Sequence, residues 1–252
     1  MYQEALDGLK AKFPFRKWEC WSGEFCGASL SQDQETYEIQ VAQQKFAEGM
    51  QQIKIARGVE GHDELRPGQV VELLQKLGEG NWLQSQTRMD LAVQVNLAQQ
   101  DMGHPTVGTQ RKTNNMIRRA KQHSTMGLRY LSIPVARVRL MGHSDAAFAN
   151  ACDSGTQGGY VLAAVDSDML SDKDAAWSPL VWRSYRLKRV VPSTLSGEAQ
   201  VLGDALGHLE WISCLWMETL RPDFDPRRRE GQLLSLPSLA EVDCKSVRHE
   251  AW

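Results

Sequence analysis

Paired cysteine spacings are absent from this chain. Its cysteines, Cys20, Cys26, Cys152, Cys214 and Cys244, form no zinc-type pair, and an odd number of them cannot close a complete disulfide framework. The thiols are therefore expected to be reduced, in an intracellular protein of the cytoplasm or nucleus. Six histidines add no His-x-x-x-His step. A long apolar run is missing too, which excludes a helical membrane span, and Met1-Tyr2-Gln3-Glu4 opens no signal peptide. Charge of one sign is also lacking: 29 Lys and Arg stand against 31 Asp and Glu. No global positive field draws in nucleic acid, so any such binding must come from local clusters. There is no internal repeat and no low-complexity tract, and 252 residues make one large or two small domains.

Three acidic residues in distinct local contexts are the most informative feature present. Asp145 stands in His143-Ser144-Asp145-Ala146, Glu198 ends Ser193-Thr194-Leu195-Ser196-Gly197-Glu198, and Asp243 opens Asp243-Cys244-Lys245-Ser246. The first and third close short apolar strands, and the second opens an amphipathic helix. Desolvating an unpaired carboxylate costs several kcal/mol, so such groups near a core call for a cation. Hard oxygen ligands favour a hard one, Mg²⁺, with Mn²⁺ as the alternative.

From Glu198, the apolar residues Leu202, Ala205, Leu206, Leu209, Ile212 and Trp216 recur at steps of three and four, predicting a helix that packs this face, Glu198 included, on a sheet. Ser193, Thr194 and Ser196 are candidate N-caps. Strands are predicted over Val138–Ala147, Tyr160–Val165 and Trp182–Val191, with a fourth over Leu236–Val242 after the exposed Pro222–Arg229 connection. His143 shares a strand face with Asp145 and reads as structural.

Residues 1–136 are predicted to hold a strand pair around Trp18 to Ile39, then helices near Gln40–Ile53, Pro67–Leu77, Trp82–Asp101 and Thr109–Gly127. Gly58–Gly61 and Gly78–Gly80 are the expected joints. Leu91, Val95 and Ala98 have core spacing, and Trp18, Trp21 and Trp82 are expected to be buried. Basic clusters occur at Arg111-Lys112 with Arg118-Arg119 and Lys121, at Arg183, Arg186, Lys188 and Arg189, and at Arg227–Arg229. The last reads as a solvated loop. The strand cluster adjoins the acidic residues and is the candidate nucleic-acid contact.

The segment from about Arg137 to Ser246 resembles the ribonuclease H domain of copia-type retrotransposon polyproteins. The resemblance rests on Ser-Asp-Ala in a strand, Gln157-Gly158-Gly159-Tyr160, Trp182-Arg183-Ser184, the Ser-Thr-x-x-x-Glu helix start and Asp-Cys-Lys-Ser. Upstream, Phe13 to Trp18, Gly23 to Gly27 and Asn81 to Leu91 resemble the stretch that follows the polymerase site in that family. Met89 departs from the proline of its Thr-Arg-Pro-Asp motif, and no Tyr-x-Asp-Asp tetrapeptide occurs, so polymerase activity is not expected.

What the resemblance implies is an α/β (α+β) fold. A ribonuclease H-like mixed sheet with helices would occupy 137–252, C-terminally truncated, after a mainly helical, thumb/connection-like reverse-transcriptase remnant over 1–136. It implies catalytic and metal-binding roles for Asp145, Glu198 and Asp243, an RNA–DNA hybrid as substrate, and the rest of a Pol polyprotein as partner. The other expectation is a catalytically inactive retroelement remnant with at most nucleic-acid binding.

Overall fold

Local sequence explains how the chain starts its first sheet. Cys26 and Gly27 both adopt positive φ, 50° and 77°, the two-residue turn that joins twisted antiparallel strands with least strain. They connect β1 (Ser22–Phe25) to β2 (Ala28–Gln32), and β3 (Ile39–Ala42) and β4 (Gly127–Tyr130) complete a four-stranded antiparallel sheet in the order β1-β2-β3-β4. A computed structural model describes residues 2–13, 19–151, 154–171, 173–233, 236 and 238–242. Residues 14–18 of the upstream motif, Trp18 among them, and Asp243 to Ser246 lie outside the described residues.

Helix α1 (Tyr2–Lys12) precedes this sheet, and α2 (Gln44–Gly49), α3 (Pro67–Gln86), α4 (Ala92–Gln100) and α5 (Val107–Gln122) lie between β3 and β4. The helix expected over Gln40–Ile53 gives way to β3 because Ile39 to Ala42 pair on both sides, with β2 and with β4. Nor is Gly78–Gly80 a joint. Helix α3 runs straight through it, and Gly80 is glycine because a Cβ there would stand 2.4 Å from the Met116 Cε of α5. Leu91, Val95 and Ala98 are buried, as their spacing predicts, but Trp21 and Trp82 are exposed.

The second sheet has the order β7-β6-β5-β8. Strands β5 (Val138–Ala147), β6 (Gln157–Asp166) and β7 (Trp177–Arg186) are antiparallel neighbours, and β8 (Ser238–Val242) runs parallel to β5. A parallel pair requires a crossover. It is made by α6 (Thr194–Leu220), followed by α7 (Arg229–Leu233). Helix α6 starts one turn before Glu198 because the Ser193 side chain accepts from the Ser196 amide at 3.2 Å. Leu140, Ala146, Tyr160 and Leu162 pack against Val201, Ala205, Leu209 and Ile212. Leu206, expected in this stripe, is instead exposed. Strand β7 sits about five residues earlier than predicted. The chain leaves the sheet after Arg186, Leu187 turns into the core, and Lys188 to Val190 are exposed.

Polar contacts join the two sheets' neighbourhoods. The Trp182 indole N–H donates to the Gln84 carbonyl at 2.8 Å, and the Gln157 amide donates to Asn96 and to Ser184, each at 2.8 Å. No described helix is long and apolar enough to cross a membrane.

Candidate functional site

Strand β5 positions Asp145. Its alternate residues Val138, Leu140 and Ala146 face α6, so Asp145 and His143 point to the other face, and Asp145 is exposed. His143 lies opposite Glu241 of β8, its Nδ1 3.3 Å from the Glu241 carboxylate, which gives the histidine a structural partner. Glu198 arrives from the α6 side. It is 3% exposed, and its Oε1 accepts from the Ala146 amide at 3.2 Å. That amide is the one joining Asp145 to Ala146, so Glu198 reaches the end of β5 that carries Asp145, from the face opposite to the one Asp145 points to. The parallel pairing of β5 with β8 stops at Ser144 and Val242. Asp243 follows directly in the sequence and lies outside the described residues. Among the described residues no three His, Cys, Asp or Glu side chains converge as a metal-holding group.

The basic strand cluster is partly gathered. Arg183, Lys188 and Arg189 line a cavity of about 670 Å³ beside the start of α6. The Arg183 guanidinium lies 4.7 Å from the centroid of the Tyr185 ring. The only carboxylate in that lining, Asp204, accepts the Tyr185 phenol hydrogen. Burial, and then this hydrogen bond, push the Tyr185 pKa up, so the phenol stays a donor even in alkaline solution where a free tyrosine ionises. Arg186 is not in the lining and packs at Gly155, where a Cβ would stand 2.4 Å from its Nε. Tyr185 and Asp204 were not legible as site residues. Their signal is the strand alternation Arg183-x-Tyr185, which sets both side chains on one face.

The other basic cluster is committed to its own fold. Arg111 donates to the Val59 carbonyl, Lys112 pairs with Asp101, Arg119 with Asp90, and Lys121 donates to the Met50 carbonyl. The Thr-Arg-x-Asp stretch is equally structural. Arg88, 2% exposed, grips the Asp90 carboxylate at 2.8 and 3.0 Å and donates to the carbonyls of Ala120 and His123 at the end of α5. Burial alone would raise the Asp90 pKa, but the hydrogen bonds and charge of Arg88 and then Arg119 outweigh it, and the net direction is down.

A second cleft, of about 530 Å³, opens on the Asp145 face of the sheet. Its far wall is Met89, Asp90, Ala92 and Val93, at the start of α4. Compared with known proteins, the chain matches no family model, and no curated protein matches it either.

Proposed function

We infer that the second sheet and α6 form a ribonuclease H-like unit that hydrolyses the RNA strand of RNA–DNA hybrids. One observation carries this reading: the buried Glu198 carboxylate sits on the peptide that follows Asp145, at the end of β5 beside which β8 delivers Val242. Three antiparallel strands, a crossover helix and a parallel fourth strand agree with the strand, strand, strand, helix, strand order of the resemblance.

The donor chemistry fits a hard divalent cation, because Asp145 and Glu198 offer only carboxylate oxygens, and Asp243 would add a third. Mg²⁺, when bound, supplies Lewis-acid activation of water and of the phosphodiester. The residues of the chain do the rest. Asp145 and Glu198 hold the charge at the strand end, while Arg183, Lys188 and Arg189 take up backbone phosphates. Discrimination of RNA from DNA falls to the ribose 2′-hydroxyl. The rest of a Pol polyprotein would be the natural partner.

Incubating the full chain with Mg²⁺ and a labelled hybrid tests this. Cleavage of the RNA strand, lost to background in Asp145→Asn and in Glu198→Gln, is expected, with duplex DNA left intact. Equal activity in the two variants overturns the mechanism. One feature favours the inactive remnant instead: Asp145 points to one face of β5, and Glu198 approaches the strand from the other. Under that reading calorimetry finds no Mg²⁺ binding that Glu198→Gln removes.

A further inference from the structure

The cleft on the Asp145 face receives no cation from the sheet. Arg183 borders it, but the Arg183 guanidinium stands over the Tyr185 ring, and Tyr185 packs on the α6 side. Of the other charged residues in the lining, Asp90 is held by Arg88 and Arg119, and His143 faces Glu241. Asp145 is left as the one lining carboxylate without an ion pair among the described residues. The rest of the wall is largely apolar. Met89 and Val93 stand on one side, Val161 and Trp182 on the other, and the Trp182 indole is fixed by its bond to the Gln84 carbonyl. The sheet register sets the length of the slot. Asp145 lies on β5 opposite Gly159, and His143, Val161 and Trp182 form the next row on the same face. From β5 to β7 is two strand spacings, about 10 Å. Gly159 places no side chain on the floor between them.

An apolar slot with a single unneutralised acid at one end is complementary to a cation with an apolar body. An anion is repelled by Asp145, and a wholly apolar molecule leaves that carboxylate unused. We propose that the cleft binds a small arylalkylammonium ion, its ammonium against Asp145 and its ring over Gly159 and Val161 toward Trp182. Ring contact with the indole adds to the area buried. Such binding requires neither Mg²⁺ nor the proposed hydrolysis, so it is measured without either.

Methyl NMR of the full chain, labelled at the methionine methyls and titrated with 2-phenylethylamine in the absence of Mg²⁺, tests it. The Met89 methyl, assigned through Met89→Leu, should shift saturably from the ring current, while the Met116 methyl, packed on Gly80, should not. The neutral analogue 2-phenylethanol should bind at least about threefold more weakly, and the anion 3-phenylpropionate should leave Met89 unmoved. Asp145→Asn, at an exposed side chain, should bring the amine down to the affinity of the alcohol and leave the alcohol unchanged. Val93→Lys, at a side chain 51% exposed, sets a cation of the chain's own in the wall and should weaken the amine more than the alcohol. An unmoved Met89, equal affinity for amine and alcohol, or variants that both keep the full preference for the amine overturn the proposal. Hybrid cleavage is read with Mg²⁺ and no amine, so the loss of either property leaves the other standing.

Discussion

At the scale of single residues, the buried Arg88 and its partner Asp90 decide more than their place in the sequence promises. A charge removed from water needs its partner, and taking one away leaves the other stranded at a cost of about 3–5 kcal/mol. Asp90→Asn should therefore lower stability in urea unfolding by about 3 kcal/mol at neutral pH. The Asp90 pKa is depressed in the fold, so its contribution is complete above the unfolded value, about 3.9, and fades as pH falls through the folded value. Acid titration of unfolding should show wild type and variant converging below that range. Met89 occupies the first position of a short 3₁₀ turn, Met89–Leu91, where proline's missing N–H is not needed. Met89→Pro should be neutral or stabilising, by up to about 1 kcal/mol, in the same measurement.

Among the elements, the tightest crossing is that of α3 and α5 at Gly80. Gly80→Ala sets overpacking against Met116 and Val95 against the helix propensity that Ala gains over Gly, about 1 kcal/mol, and a net loss of up to about 2 kcal/mol is expected, part of which Met116→Ala in the same chain should recover. Thermal unfolding of the two single variants and the double variant would show the non-additivity. At the other crossover, Ser193→Ala should remove about 1 kcal/mol by leaving the Ser196 amide without its cap.

Elements with a clean period were legible. The apolar run Tyr160 to Val165, the stripe from Leu202 to Ile212 and the pattern ending at Val242 each became the expected strand or helix. What escaped was decided by distant partners. Ile39 to Ala42 are helix-compatible until β2 and β4 flank them, and a glycine in mid-helix reads as a joint until Met116 is known to press on it. The strand under Asp145 and the helix start at Glu198 were legible, but not the strand parity that sends Asp145 to the face opposite α6. Parity depends on register, and register is set by strands far away in the sequence.

Taken whole, the molecule is two sheets with their helices, clasped through Trp182, Gln157 and Ser178. Gln157 is 5% exposed and bonded to residues of both neighbourhoods, Asn96 and Gln100 on one side and Ser184 on the other. Gln157→Leu should strip these partners at once. Its unfolding curve should broaden toward two transitions if the clasp is what couples the halves, while a single sharp transition would show that they cooperate without it.

The parallel placement of β8 also orders events during synthesis. Its partner β5 is made about a hundred residues earlier, and the flank of β5 between Leu140 and Ser144 has no strand to pair with until α6 has crossed the sheet and the ribosome has released Val242. Until then a nascent chain carries an open row of backbone donors and acceptors, the kind of edge that recruits other chains. Closing that edge sets Val242 beside Ser144, next to the corner where Glu198 meets β5, so the same short strand both protects the growing polypeptide and fixes the end of β5.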